Sequence, residues 1–271
     1  MITASIVAFH TGHHDLSRLI ECVMKSTIDR LFIIDNSTND ELRDFVKDNP
    51  RINYIHSLNL GYGSGHNVAI RKALEEGSDY HVVLNPDIYW TDDVIERLAG
   101  FMDENPDCGL VMPKIIYPTG ETQFLCKLLP TPMDLIGRRF IPVKSYQESH
   151  DYQYELHWTG YDKIMEVPSL SGCFMFMRCS TLKKTGGFDE RYFMYAEDLD
   201  LCRRIGEVSR TMFYPGVSVV HEYEKGSYKN KKLLKYHISS IVKYFNKWGW
   251  IFDKKRSEKN ATCLALLKGR L

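Results

Sequence analysis

The chain has 271 residues, 44% of them hydrophobic, enough to bury a substantial core in one large α/β domain or two small ones. Lysine plus arginine balances aspartate plus glutamate, 35 against 35, so no overall field would gather nucleic acid or a strongly acidic partner. The seven scattered cysteines include no C-x-x-C pair, which argues against a disulfide framework or thiolate metal site and points to a reducing, cytoplasmic setting.

The first strand, "ASIVAFH", begins without a basic leader, and no apolar run is long enough to cross a bilayer. "HDLSRLIECVMKS" follows with helical spacing at Leu16, Leu19, Ile20 and Val23, and "RLFIIDNST" is a second strand ending in Asp35. A helix at "NDELRDFVKDN", a strand at "INYIHSL", a helix at "SGHNVAIRKALEEG" and a strand at "YHVVLNPD" continue the alternation. This pattern predicts an α/β fold with a mostly parallel sheet, whose ligands collect at the carboxyl ends of its strands. Asp35, Asn59 and Asp87 all fall at or just beyond such ends. Asp87, next to Pro86, is either a turn residue or a carboxylate held out to meet a ligand, and the shared edge favours the ligand.

"TDDVIERLAGFMDENPDCGLV" reads as a helix capped by Thr91 and followed by a strand. Between Gly120 and Val167 regularity fades into a stretch rich in Pro, Tyr, His and Arg, expected as a functional loop or lid, or as a set of short strands. A buried strand then returns in "SLSGCFMFMRCSTLKKTGGFDE".

Three segments carry chemistry. In "NLGYGSGHNVAI", Gly61, Gly63 and Gly65 precede a helix, where bare backbone can approach a ligand and the helix N-terminus favours a phosphate; a flexible connection accounts for them equally well. "DERYFMYAEDLDLCRRI" sets acids at the start of an amphipathic helix with Leu201 and Ile205 facing inward. The preceding Tyr192-Phe193-Met194-Tyr195 would shield those acids from water and raise a carboxyl toward the pKa of a general base. "YPGVSVVHEYEKGS" places His221 after an apolar strand, a position open to a structural histidine or to a ligand.

Taken in order, "SIVAFH", "IIDNST", "NLGYGSGHN", "LNPD", "SGCFMFMR", "GGFDERYFMYAEDLDLCRRI" and the "YP" before His221 resemble the family 2 glycosyltransferases. These are inverting enzymes of GT-A fold with nucleotide-sugar donors, and the nearest likeness is to a bacterial rhamnosyltransferase-like branch. It runs from Ser5 to about Lys243. The resemblance implies a GT-A domain over residues 1–225, a Rossmann-like mixed β-sheet flanked by helices. Its acceptor or lid region would span about 120–167, and a basic helical extension would occupy 226–271.

By the same resemblance, Asp35 would recognise the pyrimidine base, while His10, Asn59, Gly61, Gly65, Asn67 and Asn85 would line the donor. Asp87 and His221 would hold a divalent cation, Mn²⁺ or Mg²⁺. Asn85 stands where the family's D-x-D motif has its first acid. Asp198 would be the catalytic base, Glu197 would position the acceptor or that base, and Gly172 would leave room for the sugar. The expected donor is dTDP-rhamnose, with a UDP-hexose or UDP-N-acetylhexosamine as the alternative. The acceptor would be a glycan or polyprenyl-linked saccharide in bacterial surface polysaccharide synthesis. Arg138 and Arg139 would either touch a phosphate or form an ordinary surface pair.

Two other readings compete. A non-catalytic sugar-nucleotide-binding protein would have no need of Asp198, and a nucleotidyl transferase would want a basic triphosphate loop, whereas "NLGYGSGHN" contains no Lys or Arg. From Lys229 to Arg256 the chain is basic and interleaved with aromatic and aliphatic residues. Such a segment either packs on the domain with lysines outward, the favoured reading, or lies peripherally on the inner face of the cytoplasmic membrane. Oligomeric state, homodimer included, stays open.

Overall fold

The computed structural model describes residues 1–46, 48–137, 144–222 and 231–269. Its first half follows the expected alternation: β1 (Ile2–Ala8), α1 (His13–Lys25), β2 (Arg30–Asp35), α2 (Leu42–Val46), β3 (Ile52–His56), α3 (Tyr62–Glu75) and β4 (Tyr80–Leu84). After β5 (Ile88–Tyr89), α4 (Val94–Glu104) and β6 (Cys108–Ile116) come α5 (Lys144–Tyr154), β7 (Met165–Glu166), β8 (Phe174–Arg178) and α6 (Cys179–Thr185). The chain ends with α7 (Glu197–Ile205), β9 (Arg210–His221), α8 (Lys231–Trp248) and α9 (Lys254–Leu267).

Among the described residues the strands form one nine-stranded sheet, ordered β3-β2-β1-β4-β8-β6-β9-β5, with β7 also on β9. Strands β1 to β4 are parallel, and β8 runs antiparallel to both β4 and β6, so the sheet is mixed. Val82, Val83 and Leu84 are all buried completely, which explains why β4 reads as an unbroken apolar run rather than an alternation. Ala8 pairs with Asp35, so β1 and β2 finish level and their following loops open on the same edge.

Helix α3 starts earlier than the sequence pattern suggests. Gly63 and Gly65 lie inside its first turns, not in a loop before it. A Cβ at Gly63 would sit 2.7 Å from Cβ of Phe188, and one at Gly65 would sit 2.7 Å from Val7, so these glycines admit close packing. Only Gly61 precedes the helix, at φ +108°, and a side chain there would collide with the Phe193 carbonyl. Thr91 does not cap α4. The Val94 amide donates to the Asp92 carbonyl at 2.8 Å, a turn that delays the helix and leaves Asp93 at its N-cap.

The stretch that lost regularity holds a π-helical turn at Met133–Gly137, helix α5 and a 3-10 turn at His157–Thr159. Helix α5, "KSYQESHDYQY", has no apolar stripe and so gives no periodic signal. Arg138 and Arg139 lie outside the described residues.

The basic C-terminal segment packs on the domain. Ile241, Tyr244 and Phe245 of α8 form a second core with Leu129, Tyr192 and Leu199. Arg203 of α7 reaches both oxygens of Asp253 at 2.7 and 2.8 Å, with both side chains 4% exposed. Lys247 meets the fully buried Asp200 at 2.6 Å. Among the described residues no helix is long and apolar enough to cross a membrane.

Candidate active site

Beyond the carboxyl ends of β1 and β4 opens a cleft of about 1540 Å³. Single-ligand pockets commonly occupy roughly 300 to 1,000 Å³, so this cleft has room for two reactants. The loop after β1 supplies His10, the loop after β4 supplies Asn85 and Asp87, and α7 supplies Glu197 and Asp198. Gly172 precedes β8, and His221 ends β9. The region from Tyr117 to Lys127, with Asp134, Asp151 and Glu155, walls the opposite approach.

Asp87 and His221 meet because β5 pairs with the end of β9, Ile88 opposite His221. Nε2 of His221 lies 3.5 Å from Oδ1 of Asp87, a buried oxygen with no hydrogen-bond partner among the described residues. Burial alone would push the imidazole down, but Asp87 and the Cys173 thiol hold it up to about 10. A divalent cation shared by the two side chains would displace that proton. No group of three or more His, Cys, Asp or Glu suited to a metal occurs among the described residues. This pair would leave the remaining coordination positions to ligand oxygens and water, as a hard cation accepts.

Gln123 orients the pair. Its Nε2 donates to the His221 carbonyl at 2.8 Å, which turns its Oε1 toward Nδ1 of the same residue at 3.0 Å. Because an amide oxygen only accepts, Nδ1 carries the proton and Nε2 is directed at Asp87.

The second half of the site depends on a strained turn. Tyr195 (φ +71°) and Ala196 (φ +63°) are successive non-glycine residues in the left-handed region, a conformation costing about 1 to 3 kcal/mol each. The turn delivers Glu197 and Asp198 as the first two residues of α7. Asp198 accepts from the Gly172 amide at 2.9 Å through Oδ2 and from the Leu199 amide at 2.8 Å through Oδ1. A Cβ at Gly172 would come within 3.1 Å of Cβ of Asp198, so this glycine makes room for the carboxylate it binds. Glu197 is 6% exposed, and its Oε2 has no hydrogen-bond partner among the described residues. Burial first, then the charge of Asp198, pushes its carboxyl up to about 8. One acid of the two therefore holds a proton at neutral pH.

Tyr62 joins the halves. Its hydroxyl lies 2.9 Å from Oδ1 of Asn85 and 2.8 Å from the carbonyl of Gly172. One half-buried phenol thereby ties the loop of Asp87 to the loop that binds Asp198.

The other expected donor residues lie off the cleft wall. Asp35 is fully buried, accepting from the Ser37 amide at 2.9 Å and from the Tyr54 hydroxyl at 2.8 Å. Asn59 is exposed, and its side chain accepts from the Gly61 amide at 3.2 Å. The Asn67 amide is consumed by Phe188 and Glu190, strapping α3 to the segment before α7. Gly61 and Gly65 serve the packing described above. His10 does line the cleft, at φ +51°, with its amide donating to Ser37 Oγ at 2.8 Å.

The model of the glycosyl transferase family 2 matches residues 5–184, about two thirds of the chain. The chain belongs to that family. This transferase is 26% identical over 261 residues to the N-acetylglucosaminyl-diphospho-decaprenol L-rhamnosyltransferase of Mycobacterium tuberculosis, covering 87% of its own length and 81% of the relative. It is 23% identical over 252 residues to the rhamnosyltransferase WbbL of Escherichia coli, covering 88% and 91%. In fold it is similar to S. aureus TarS in complex with UDP, with a TM-score of 0.58, 14% identity and coverage of 97% and 71%. The enzyme is thus a rhamnosyltransferase-like glycosyltransferase with a GT-A-like sheet.

Tyr62 and Gln123 are the site residues that motif reading passes over. Tyr62 lies inside the glycine run, whose local signal is for bare backbone and not for a side chain. Gln123 sits in the irregular stretch, and nothing local distinguishes it.

Proposed function

We propose that this enzyme is a metal-dependent inverting transferase that moves rhamnose from dTDP-rhamnose to a lipid-linked saccharide in assembly of a surface polysaccharide. The supporting observation is the pairing of two unlike acid sites in one cleft, Asp87 with His221 and Asp198 with Glu197, linked by Tyr62. The two rhamnosyltransferases above, one named for a diphospho-decaprenol acceptor, support the choice of sugar and acceptor.

Asp87 and His221 would hold the cation, which offsets the charge that develops on the departing diphosphate. Asp198, fixed by two amides, takes the proton of the acceptor hydroxyl as that oxygen attacks the anomeric carbon. The new C–O bond forms as the bond to the diphosphate breaks, and a single displacement inverts the anomeric centre. Glu197 keeps its proton and can donate a hydrogen bond to a substrate oxygen without competing as base.

Calorimetric titration of dTDP and UDP, with and without Mn²⁺, against native protein and Asp87→Ala tests the reading. The expected result is manganese-dependent binding, stronger for dTDP and lost in the variant. A preference for UDP would replace rhamnose by a UDP-hexose or UDP-N-acetylhexosamine. Binding indifferent to both metal and substitution would return Asp87 to a turn residue.

A further inference from the structure

Helix α8 packs inward through Ile241, Tyr244 and Phe245, yet the flank beside that stripe is not an ordinary polar surface. Ile238 and Val242, one helical turn apart, are 45% and 38% exposed. The turn from α8 to α9 carries Ile251 and Phe252 at 75% and 96% exposure beside Trp250. Large aliphatic and aromatic side chains so fully displayed at adjacent positions mark an interaction surface. The segment that carries them has charge of one sign: from Lys231 to Phe252 there are five lysines and no aspartate or glutamate. Lys247 turns inward to Asp189 and Asp200 and the exposed Lys243 donates to the Arg191 carbonyl at 2.6 Å, whereas Lys231 and Lys235 lie on exposed positions along the same flank as Ile238 and Val242. The nearest acid in sequence, Asp253, is buried against Arg203.

We infer that this face docks on an anionic lipid surface, with Ile251 and Phe252 entering the interface and the α8 lysines meeting acidic headgroups. An apolar edge rimmed by lysine is complementary to a bilayer interface, where hydrocarbon burial and headgroup charge act together. The same helix contributes His237 and Ile241 to the cleft wall, so docking would set the cleft beside the membrane. This surface is independent of the donor chemistry proposed above, and either reading can fail alone.

The test is co-sedimentation of the full chain with vesicles of phosphatidylcholine alone or mixed with phosphatidylglycerol, at low and at 0.5 M salt. Native protein and the Ile251→Ser/Phe252→Ser variant are compared. Both residues are exposed, so the variant should fold, which its nucleotide affinity reports. The expected result is binding to the acidic vesicles that weakens with salt and falls by at least about tenfold in the variant. Absent binding, equal binding to neutral vesicles, or full binding by the variant would overturn the inference. A concentration-dependent dimer abolished by the same substitutions, without vesicle binding, would overturn it in favour of a second copy of the chain.

Discussion

The division of labour among the acids rests on what each side chain touches. Asp198 is held by two backbone amides, whereas Glu197 sits beside it buried with an unpartnered Oε2 among the described residues. Asp198→Asn should preserve shape and donor affinity while lowering kcat about a thousandfold; kinetics alongside nucleotide calorimetry would show it, and a fall in affinity alone would contradict the role. Gln123 acts one step removed, by fixing which nitrogen of His221 faces Asp87. Gln123→Ala should weaken Mn²⁺ binding by about 10 to 100-fold, measured by electron paramagnetic resonance of free ion. Donor affinity at saturating Mn²⁺ should stay near native, and an unchanged metal affinity would remove Gln123 from the site. That Asp87, Asp198 and His221 share one cleft is legible because each is a chemically marked residue at the boundary of a periodic segment. Asp35 shows the limit of that reasoning: its place at a strand end is as expected, but Tyr54 and the Ser37 amide turn its carboxylate into the protein.

At the scale of elements, the glycine run divides by physical cause. Gly61 combines φ +108° with a carbonyl where a side chain would go, whereas Gly77 has φ +74° and nothing within 4 Å. Gly77→Ala should cost about 1 kcal/mol from backbone conformation alone, and Gly61→Ala more than about 2 kcal/mol. Urea unfolding of both variants would compare them, and equal costs would show that the contact with Phe193 gives way. The first half of the fold was readable because its strands and helices bury one face or both, which leaves a period in the sequence. Helix α5 and the turns around it left none, since polar and aromatic residues meet their partners individually there. The start of α3 at Tyr62 escapes the sequence pattern for a related reason: glycine signals a loop locally, and only Phe188 and Val7, distant in sequence, reveal that it admits packing.

The whole molecule carries a buried polar network whose titration affects folding. Ser5 Oγ lies 2.7 Å from Nδ1 of His66 and 2.9 Å from Nε2 of His81, and Thr3 Oγ1 lies 2.8 Å from Nδ1 of His81. Burial pushes His81 down to about 3 and His66 well below its ordinary value. The unfolded chain therefore takes up protons near pH 6.5 while the folded chain does not, so this stability is present above that pH and is lost as pH falls. His221, held up to about 10, titrates outside this window, whereas Glu197, held up to about 8, adds stability as pH falls through it and offsets one of the two histidines. Unfolding free energy should drop by about 1 kcal/mol per pH unit between roughly pH 6 and 5, measured by urea titration, and a flat profile would contradict it. The sequence by itself determined the α/β alternation, the sheet edge on which the cleft opens and the acids and histidine that lie there, because periodic burial and chemical type are local properties. Only the tertiary structure decided that Gln123 orients His221, that Tyr62 joins two loops, that Asp35 turns inward and that α8 packs one stripe and bares the flank beside it. Apart from the Ser37 amide beside Asp35, those outcomes depend on contacts between residues about twenty to more than a hundred positions apart, and no local pattern encodes which surfaces the folded chain brings together.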